Sequence, residues 1–292
     1  MQFRKGPACL VASYLLFATL PLGVKYTSQF GLPGSYASFF RFVLSLVFVL
    51  SLVILSRKKL RIGNRRLLIA RGVAGGVAVL LWFYAIELTA VSKATVLQQM
   101  HSLWANVFAV LMFQHRPEKK FVAYLALAIV GLILVVNPVA TEFNLGDLLA
   151  LSAGAASGFA ILMLKAVRES TDVLATFGSF ALFGTIISFP CLFLTLRPPA
   201  IETDLLALTL QPNIFAALLS VGLLSCFAQL FLTYGYGYTS LALGTILSLL
   251  TPVLVVLGGV LFFGEPLSPH FVFGAGLILF SSVMVGRAEI VD

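Results

Sequence analysis

Apolar runs of about 20 residues, the length that an α-helix needs to cross a bilayer, follow one another along almost the whole chain. The 292 residues are 60% hydrophobic and only 10% charged, which leaves too little polar surface for a soluble domain. The runs are apolar on all sides and lack the alternating pattern of barrel strands. The sequence therefore predicts an all-α integral membrane protein whose main partner is the lipid bilayer.

Prolines and polar residues divide these runs into ten predicted transmembrane helices. Pro33, Pro138, Pro198 and Pro212 mark four of the boundaries. The ten predicted spans cover residues 7–26, 34–55, 67–88, 91–113, 120–138, 146–167, 173–196, 213–236, 240–263 and 269–287.

The basic residues set the predicted orientation. With both termini on the cytoplasmic side, the inner loops and helix ends hold 15 of the 19 Lys and Arg residues, from Arg4 through the cluster at 57–71 to Arg287. Membrane orientation thus accounts for the net charge of +8 without a nucleic-acid partner. We expect a multi-pass protein of the inner cell membrane.

The two halves of the chain carry the same pattern. At an offset of 150, residues 84–133 match residues 234–283 at ten positions, among them Thr95 with Thr245 and Tyr84 with Tyr234. Five helices per unit is an odd number, so a duplicated unit inserts in the opposite orientation. We predict two inverted five-helix repeats, residues 1–144 and 145–292.

Matching polar faces in the fourth and ninth helices predict a site between the repeats. Thr95, Gln98 and His101 recur every third residue, and Thr245, Ser248 and Thr251 are their equivalents. Polar side chains avoid lipid, so these faces point to a central path or to neighbouring helices. Hydrogen bonding between helices without any substrate is the alternative.

Three ionisable residues in the predicted spans are further candidates for substrate binding. Arg41 recognises an anion or binds carbonyls at a helix end. For Glu87 the alternatives are binding of a cation or proton, and a role as an interfacial anchor or as a partner of Lys93. His101 couples a proton, or is a neutral hydrogen-bonded histidine. A proton or a counter-substrate is therefore a candidate coupling partner.

Aromatic and amide side chains complete the predicted site. Trp104 and Tyr234 can stack on a flat or amphipathic solute, although aromatic residues also form belts at membrane interfaces. Gln229 lies in the middle of its span and is predicted to join the path. The chain has no HExxH, GxSxG or phosphate-loop motif, so we expect no ATPase of its own and do not expect an enzyme.

Residues 238–285 resemble the second repeat of the drug/metabolite transporter superfamily, EamA type. The shared features are a mid-helix proline at Pro252, a Glu-Pro pair at Glu265-Pro266 and a glycine at Gly274. Arg41 and Lys25 look like that family's second-helix arginine and first-helix lysine. The first repeat departs from the pattern, since Ser102 and His115 stand at the positions of Pro252 and Glu265.

The resemblance implies ten helices and an alternating-access carrier of small solutes without a cofactor. We expect an exporter or exchanger of small polar or amphipathic metabolites, such as amino acids or related compounds. A lipid-linked flippase, a membrane-embedded enzyme and a structural or sensor protein are the alternatives. The substrate, the direction and the oligomeric state are left open by the sequence.

Overall fold

The computed structural model describes residues 5–57, 59–113, 119–136, 143–193 and 205–290. Arg4, His115, Pro138 and Pro198, which the sequence analysis names, lie outside them, as does Lys58 of the basic cluster at 57–71. The helices are α1 Lys5–Gln29, α2 Gly34–Ser56, α3 Arg65–Leu88, α4 Val91–Gln98, α5 His101–Phe113, α6 Lys119–Val136, α7 Leu145–Val167, α8 Val173–Ser188, α9 Leu205–Thr209, α10 Pro212–Tyr236, α11 Leu241–Leu247, α12 Leu250–Phe263 and α13 Pro269–Ile290.

The prediction of an all-α membrane protein is confirmed. Seven helical segments are long and apolar enough to cross a membrane, and two shorter apolar helices cover Val122–Val135 and Pro269–Met284. The described residues contain no β-strand. Each of the ten predicted segments is helical over most of its described length, but the fourth and ninth are each divided into two helices.

Local sequence determines where several helices begin and end. The Asn64 side chain accepts hydrogen bonds from two backbone N–H groups at the start of α3. Asn144 and Asp147 form a capping box at the start of α7. Gly264 ends α12 with a φ of 63°, a left-handed conformation that glycine adopts without steric cost. These caps satisfy backbone groups that the helices leave unpaired.

Two helix breaks lie at matching positions in the two halves. Gln99 and Met100 form a turn between α4 and α5, and Ser248 and Leu249 form a turn between α11 and α12. The second break precedes Pro252, whose ring removes the N–H that would continue the helix. The first break has no proline. There the Ser102 hydroxyl donates a 3.1 Å hydrogen bond to the carbonyl of Gln99.

Long-range packing brings the two halves of the chain together. Helix α1 packs against α10 and α12, and α3 packs against α7 and α8. Helix α6 packs along α13, where Gly131 and Gly274 bring the two backbones close: a Cβ at Gly131 would lie 2.7 Å from the carbonyl oxygen of Gly274. A cavity next to the two helix breaks is lined by residues of α1, α3, α7, α8 and α10, among others.

Candidate functional site

A central cavity of about 120 Å³ lies between helices of both halves. Its lining residues come from most of the long helices and from both breaks: Tyr14, Phe17, Arg41, Arg71, Gly75, Ala78, Val79, Trp82, Gln98, Gln99, His101, Ser157, Ala160, Ile161, Phe180, Gln229, Leu232, Ser248 and Thr251. Apolar and aromatic walls thus surround a limited set of polar groups.

The polar groups beside the breaks bind one another across helices. Gln98 Nε2 donates a 3.1 Å hydrogen bond to Ser157 Oγ on α7. Gln99 Nε2 donates a 2.9 Å hydrogen bond to Ser248 Oγ, which joins the two breaks. These side chains therefore both line the cavity and connect helices, so the two alternatives for this polar face are not exclusive.

His101 and Thr251 occupy corresponding positions at the starts of α5 and α12. His101 is buried, and its Nδ1 lies 3.2 Å from the carbonyl oxygen of Gln98, which requires Nδ1 to be the donor. Thr251 Oγ1 donates a 3.1 Å hydrogen bond to the carbonyl of Tyr14. This contact ties the second broken helix to α1.

Two arginines lie in the cavity wall. Arg41 on α2 is 2% exposed and Arg71 on α3 is 3% exposed. The Arg41 guanidinium lies 5.6 Å from the ring centre of Phe83, and the Arg71 guanidinium lies 4.8 Å from that of Phe180. Both Nε atoms are buried without a hydrogen-bond acceptor among the described residues. The two positive charges are held by aromatic faces.

Six of the nine predicted substrate-binding residues line this cavity. They are Arg41, Gln98, His101, Gln229, Ser248 and Thr251. Thr95 and Thr245, which belong to the predicted polar faces, are buried outside its lining. A role in substrate binding stays a prediction for all nine.

The other three predicted residues lie elsewhere. Glu87 Oε2 accepts a 2.7 Å hydrogen bond from the backbone N–H of Gly34, at the start of α2. Trp104 stacks on Phe108, with 5.8 Å between ring centres. Tyr234 packs against Tyr238 at the end of α10, with 5.0 Å between ring centres.

Sequence reasoning missed several lining residues, of which Arg71 and Gln99 are the most important. Arg71 was assigned to the basic residues of the inner side, but the structure buries its side chain at the cavity. On a continuous helix Gln99 would point about 100° away from Gln98. Both side chains nevertheless line the cavity.

Carboxylates outside the cavity hold helix ends. Glu265 accepts hydrogen bonds of 2.6 and 2.9 Å from the backbone N–H groups of Val91 and Ser92, at the start of α4. Lys93 does not pair with Glu87; its Nζ lies 2.9 Å from Asp147 Oδ2. A carboxylate at a helix start binds free N–H groups and complements the helix dipole.

Comparison with known proteins places the chain among transporters. The sequence model of the EamA-like transporter family matches twice, at residues 4–137 and 144–287. The pseudopaline exporter CntI of Pseudomonas aeruginosa is 22% identical over 290 residues, which are 98% of this chain and 97% of that protein. An uncharacterized transporter of Helicobacter pylori is 25% identical over 79% of this chain and 77% of its own length.

One solved structure shares the fold. That crystal structure has a TM-score of 0.64 and 17% sequence identity, and the match covers 98% of this chain and 99% of the other.

Proposed function

Since the chain belongs to the EamA-like transporter family, we propose that it is a secondary transporter that moves small polar or amphipathic metabolites through the central cavity by alternating access. The observation that carries this proposal is a cavity with polar groups, placed where two broken helices from the two halves meet. In secondary transporters, substrate sites lie at the interface of repeats and are formed by discontinuous helices.

Two lysine contacts support a pair of inverted repeats. Lys25 Nζ donates a 3.2 Å hydrogen bond to the carbonyl of Ile86, near the end of α3. Lys165 Nζ donates a 3.3 Å hydrogen bond to the carbonyl of Tyr236, at the end of α10. Lys25 and Lys165 lie 140 positions apart in the sequence, and Ile86 and Tyr236 lie 150 positions apart, the offset at which residues 84–133 match residues 234–283. The same contact is therefore made once in each half.

The helix partners support the same repeat. The first helix of each proposed repeat packs against the third helix of the other: α1 packs against α10, and α7 packs against α3. The fifth helices, α6 and α13, pack against each other. Such matched pairs are expected when two equivalent units are related by a pseudo-twofold axis. On this basis we propose ten spans, in repeats of residues 1–144 and 145–292.

Alternating access requires the two repeats to rock about the cavity. The hydrogen bond between Gln99 and Ser248 joins the two breaks, whereas the Glu265 cap and the Lys93–Asp147 pair lie at helix ends. We propose that these contacts at the start of α4 break when the protein opens to that side and form again when it closes, while the centre holds the solute. The uneven distribution of basic residues in the sequence supports the proposal that both termini lie on the cytoplasmic side of an inner membrane.

The experiment that tests the function has two steps. Metabolites are first compared between cells with and without the protein, and the compounds that differ are then tested for flux into proteoliposomes. Gln98→Ala and His101→Ala should reduce flux at equal reconstituted amounts, while Ser220→Ala on the exposed side of α10 should not. Protein-independent flux of every compound found would overturn the proposal.

The same proteoliposomes test two rival functions. Scrambling of labelled lipid by the proteoliposomes, without solute flux, would show a flippase. Chemical conversion of a metabolite without its movement would show a membrane-embedded enzyme. Flux dependent on a pH gradient would identify a proton as the coupling ion, and flux dependent on a solute on the opposite side would identify exchange.

A further inference from the structure

The central cavity contains two buried positive charges and no described counter-charge. Arg41 and Arg71 are both almost fully buried, and neither forms a salt bridge with a described carboxylate. A guanidinium remains charged under all conditions relevant to proteins. Two unpaired cations in a cavity inside a membrane protein are unfavourable, because burial removes their hydration and they repel each other.

The acidic side chains that the structure describes are engaged or placed elsewhere. Four acidic side chains accept hydrogen bonds from backbone N–H groups: Glu87, Asp147, Asp172 and Glu265. Asp147 also pairs with Lys93. Glu169 is exposed to solvent or lipid. None of these described carboxylates lines the cavity, so none of them neutralises Arg41 or Arg71 there.

The cavity also provides space for the guanidinium of Arg71. A Cβ on Gly75 would collide with Arg71 Nη1 and would lie 2.7 Å from the Phe180 ring. Gly75 is one turn after Arg71 on α3, and Nη1 of Arg71 occupies the space that a Cβ on Gly75 would need. This placement keeps the charge in the cavity wall.

A third donor and aromatic faces lie in the same wall. Trp82 lines the cavity, and its Nε1 is buried without an acceptor among the described residues. Phe17 and Phe180 present apolar surface beside the arginines. The wall therefore combines unpaired donors with surfaces on which a flat or apolar group can pack.

We propose that the central cavity binds a small organic anion, with its carboxylate or phosphate group held by Arg41 and Arg71 and its apolar body packed against Phe17, Trp82 and Phe180. This inference rests on the proposed transport function and names the substrate class. Guanidinium groups bind both kinds of oxyanion in charge-assisted, often bidentate, hydrogen bonds. A neutral or cationic solute leaves the two charges unpaired, so the cavity selects against it.

The two tryptophans of the chain make a direct binding test available. Trp82 lines the cavity and Trp104 does not, so Trp104→Phe leaves a fluorophore in the cavity alone. In the full-length Trp104→Phe protein in nanodiscs, fluorescence is quenched with iodide, an anion, with caesium, a cation, and with acrylamide, a neutral quencher, at constant ionic strength. We expect iodide to quench Trp82 more strongly than caesium does.

Arginine substitutions in the Trp104→Phe protein test whether Arg41 and Arg71 cause the stronger quenching by iodide. Arg41→Gln and Arg71→Gln should each lower the iodide quenching constant by roughly threefold or more, because Coulombic attraction raises the local iodide concentration. Arg41→Lys and Arg71→Lys should retain part of the effect. Arg65→Gln removes an exposed cation outside the cavity and should change nothing. Unchanged acrylamide quenching shows that the cavity is intact in each variant.

Competition between iodide and organic compounds tests which chemical groups of a ligand the cavity binds. Benzoate and phenyl phosphate should protect Trp82 from iodide, and benzyl alcohol of the same ring size should not. Equal quenching by iodide and caesium, or iodide quenching that is unaffected by both arginine variants, would overturn the anion site. Since this assay measures binding alone, it can fail while solute flux is still observed, and solute flux can fail while the anion site is confirmed.

Discussion

The side-chain amide of Gln99 donates a hydrogen bond to the hydroxyl of Ser248 over 2.9 Å, and this contact joins the two helix breaks. Both residues are almost fully buried, at 2% and 1% exposed. Ser248 Oγ in turn donates to the carbonyl of Thr245 at 2.7 Å. The hydroxyl thus accepts from one half of the protein and donates within the other, which couples the two broken helices.

Removing the Ser248 hydroxyl should destabilise the protein. Ser248→Ala leaves the buried Gln99 amide without its acceptor, and an unsatisfied buried group costs about 1–3 kcal/mol. Thermal unfolding of the purified protein in detergent measures the loss. Ser220→Ala should have almost no effect, because Ser220 is exposed and bonds only to its own helix.

A double-mutant cycle isolates the contact itself. In a Gln99→Met background, Ser248→Ala should cost less than it does alone, by a coupling energy of roughly 0.5–1.5 kcal/mol. Additive costs would show that the two side chains do not stabilise each other. In that case the two breaks would be held in place by backbone packing.

The ninth helix shows how far sequence could predict the fold. Pro252 in an apolar run indicates an interrupted helix, and the structure has a turn at Ser248 and Leu249. The matching break in the fourth helix was not predicted, because it has no proline and Ser102 stands at that position. At this break the Ser102 hydroxyl donates to the Gln99 carbonyl, a contact that helical periodicity does not reveal.

The residues that line the cavity could also be predicted only in part from the sequence. Polar residues in otherwise apolar spans identified Gln98, Gln229 and Arg41 as candidates, since lipid excludes such groups. Arg71 was not identified as a cavity residue, because it follows a cluster of basic residues near a helix start. In sequence it therefore resembles a basic residue of a loop. Only the packing of α3 against α8 shows that its side chain is buried at the cavity.

The Glu265 carboxylate should stabilise the start of α4. Its two oxygens accept hydrogen bonds from Val91 and Ser92, and hydrogen bonds to charged groups are worth roughly 1.5–3 kcal/mol each. Glu265→Gln should lower the thermal unfolding temperature, and Glu265→Ala should lower it further. Glu169→Gln, at an exposed position, is the matched control. Equal stability of all three variants would contradict a capping role.

Lys93 should be needed mainly because Asp147 is buried. The Asp147 side chain is 0% exposed and that of Lys93 is 14% exposed. Lys93→Met leaves a buried carboxylate without its cation, and breaking a buried pair in this way costs about 3–5 kcal/mol. Adding Asp147→Asn removes the charge and should recover part of the lost stability. Unfolding in detergent distinguishes the two cases, and no recovery in the double variant would contradict this explanation.

The last prediction concerns the contact between α6 and α13. A Cβ at Gly274 would lie 2.6 Å from the carbonyl oxygen of Gly131, so Gly274→Ala must push the two backbones apart. We expect it to cost roughly 1–3 kcal/mol, as overpacking typically does. Gly276 lies on the same helix, and nothing lies within 4 Å of a Cβ built there. Gly276→Ala should therefore be neutral or stabilise the helix by up to about 1 kcal/mol. Thermal unfolding of both variants in detergent tests the difference, and equal losses would show that α6 and α13 do not depend on this close approach.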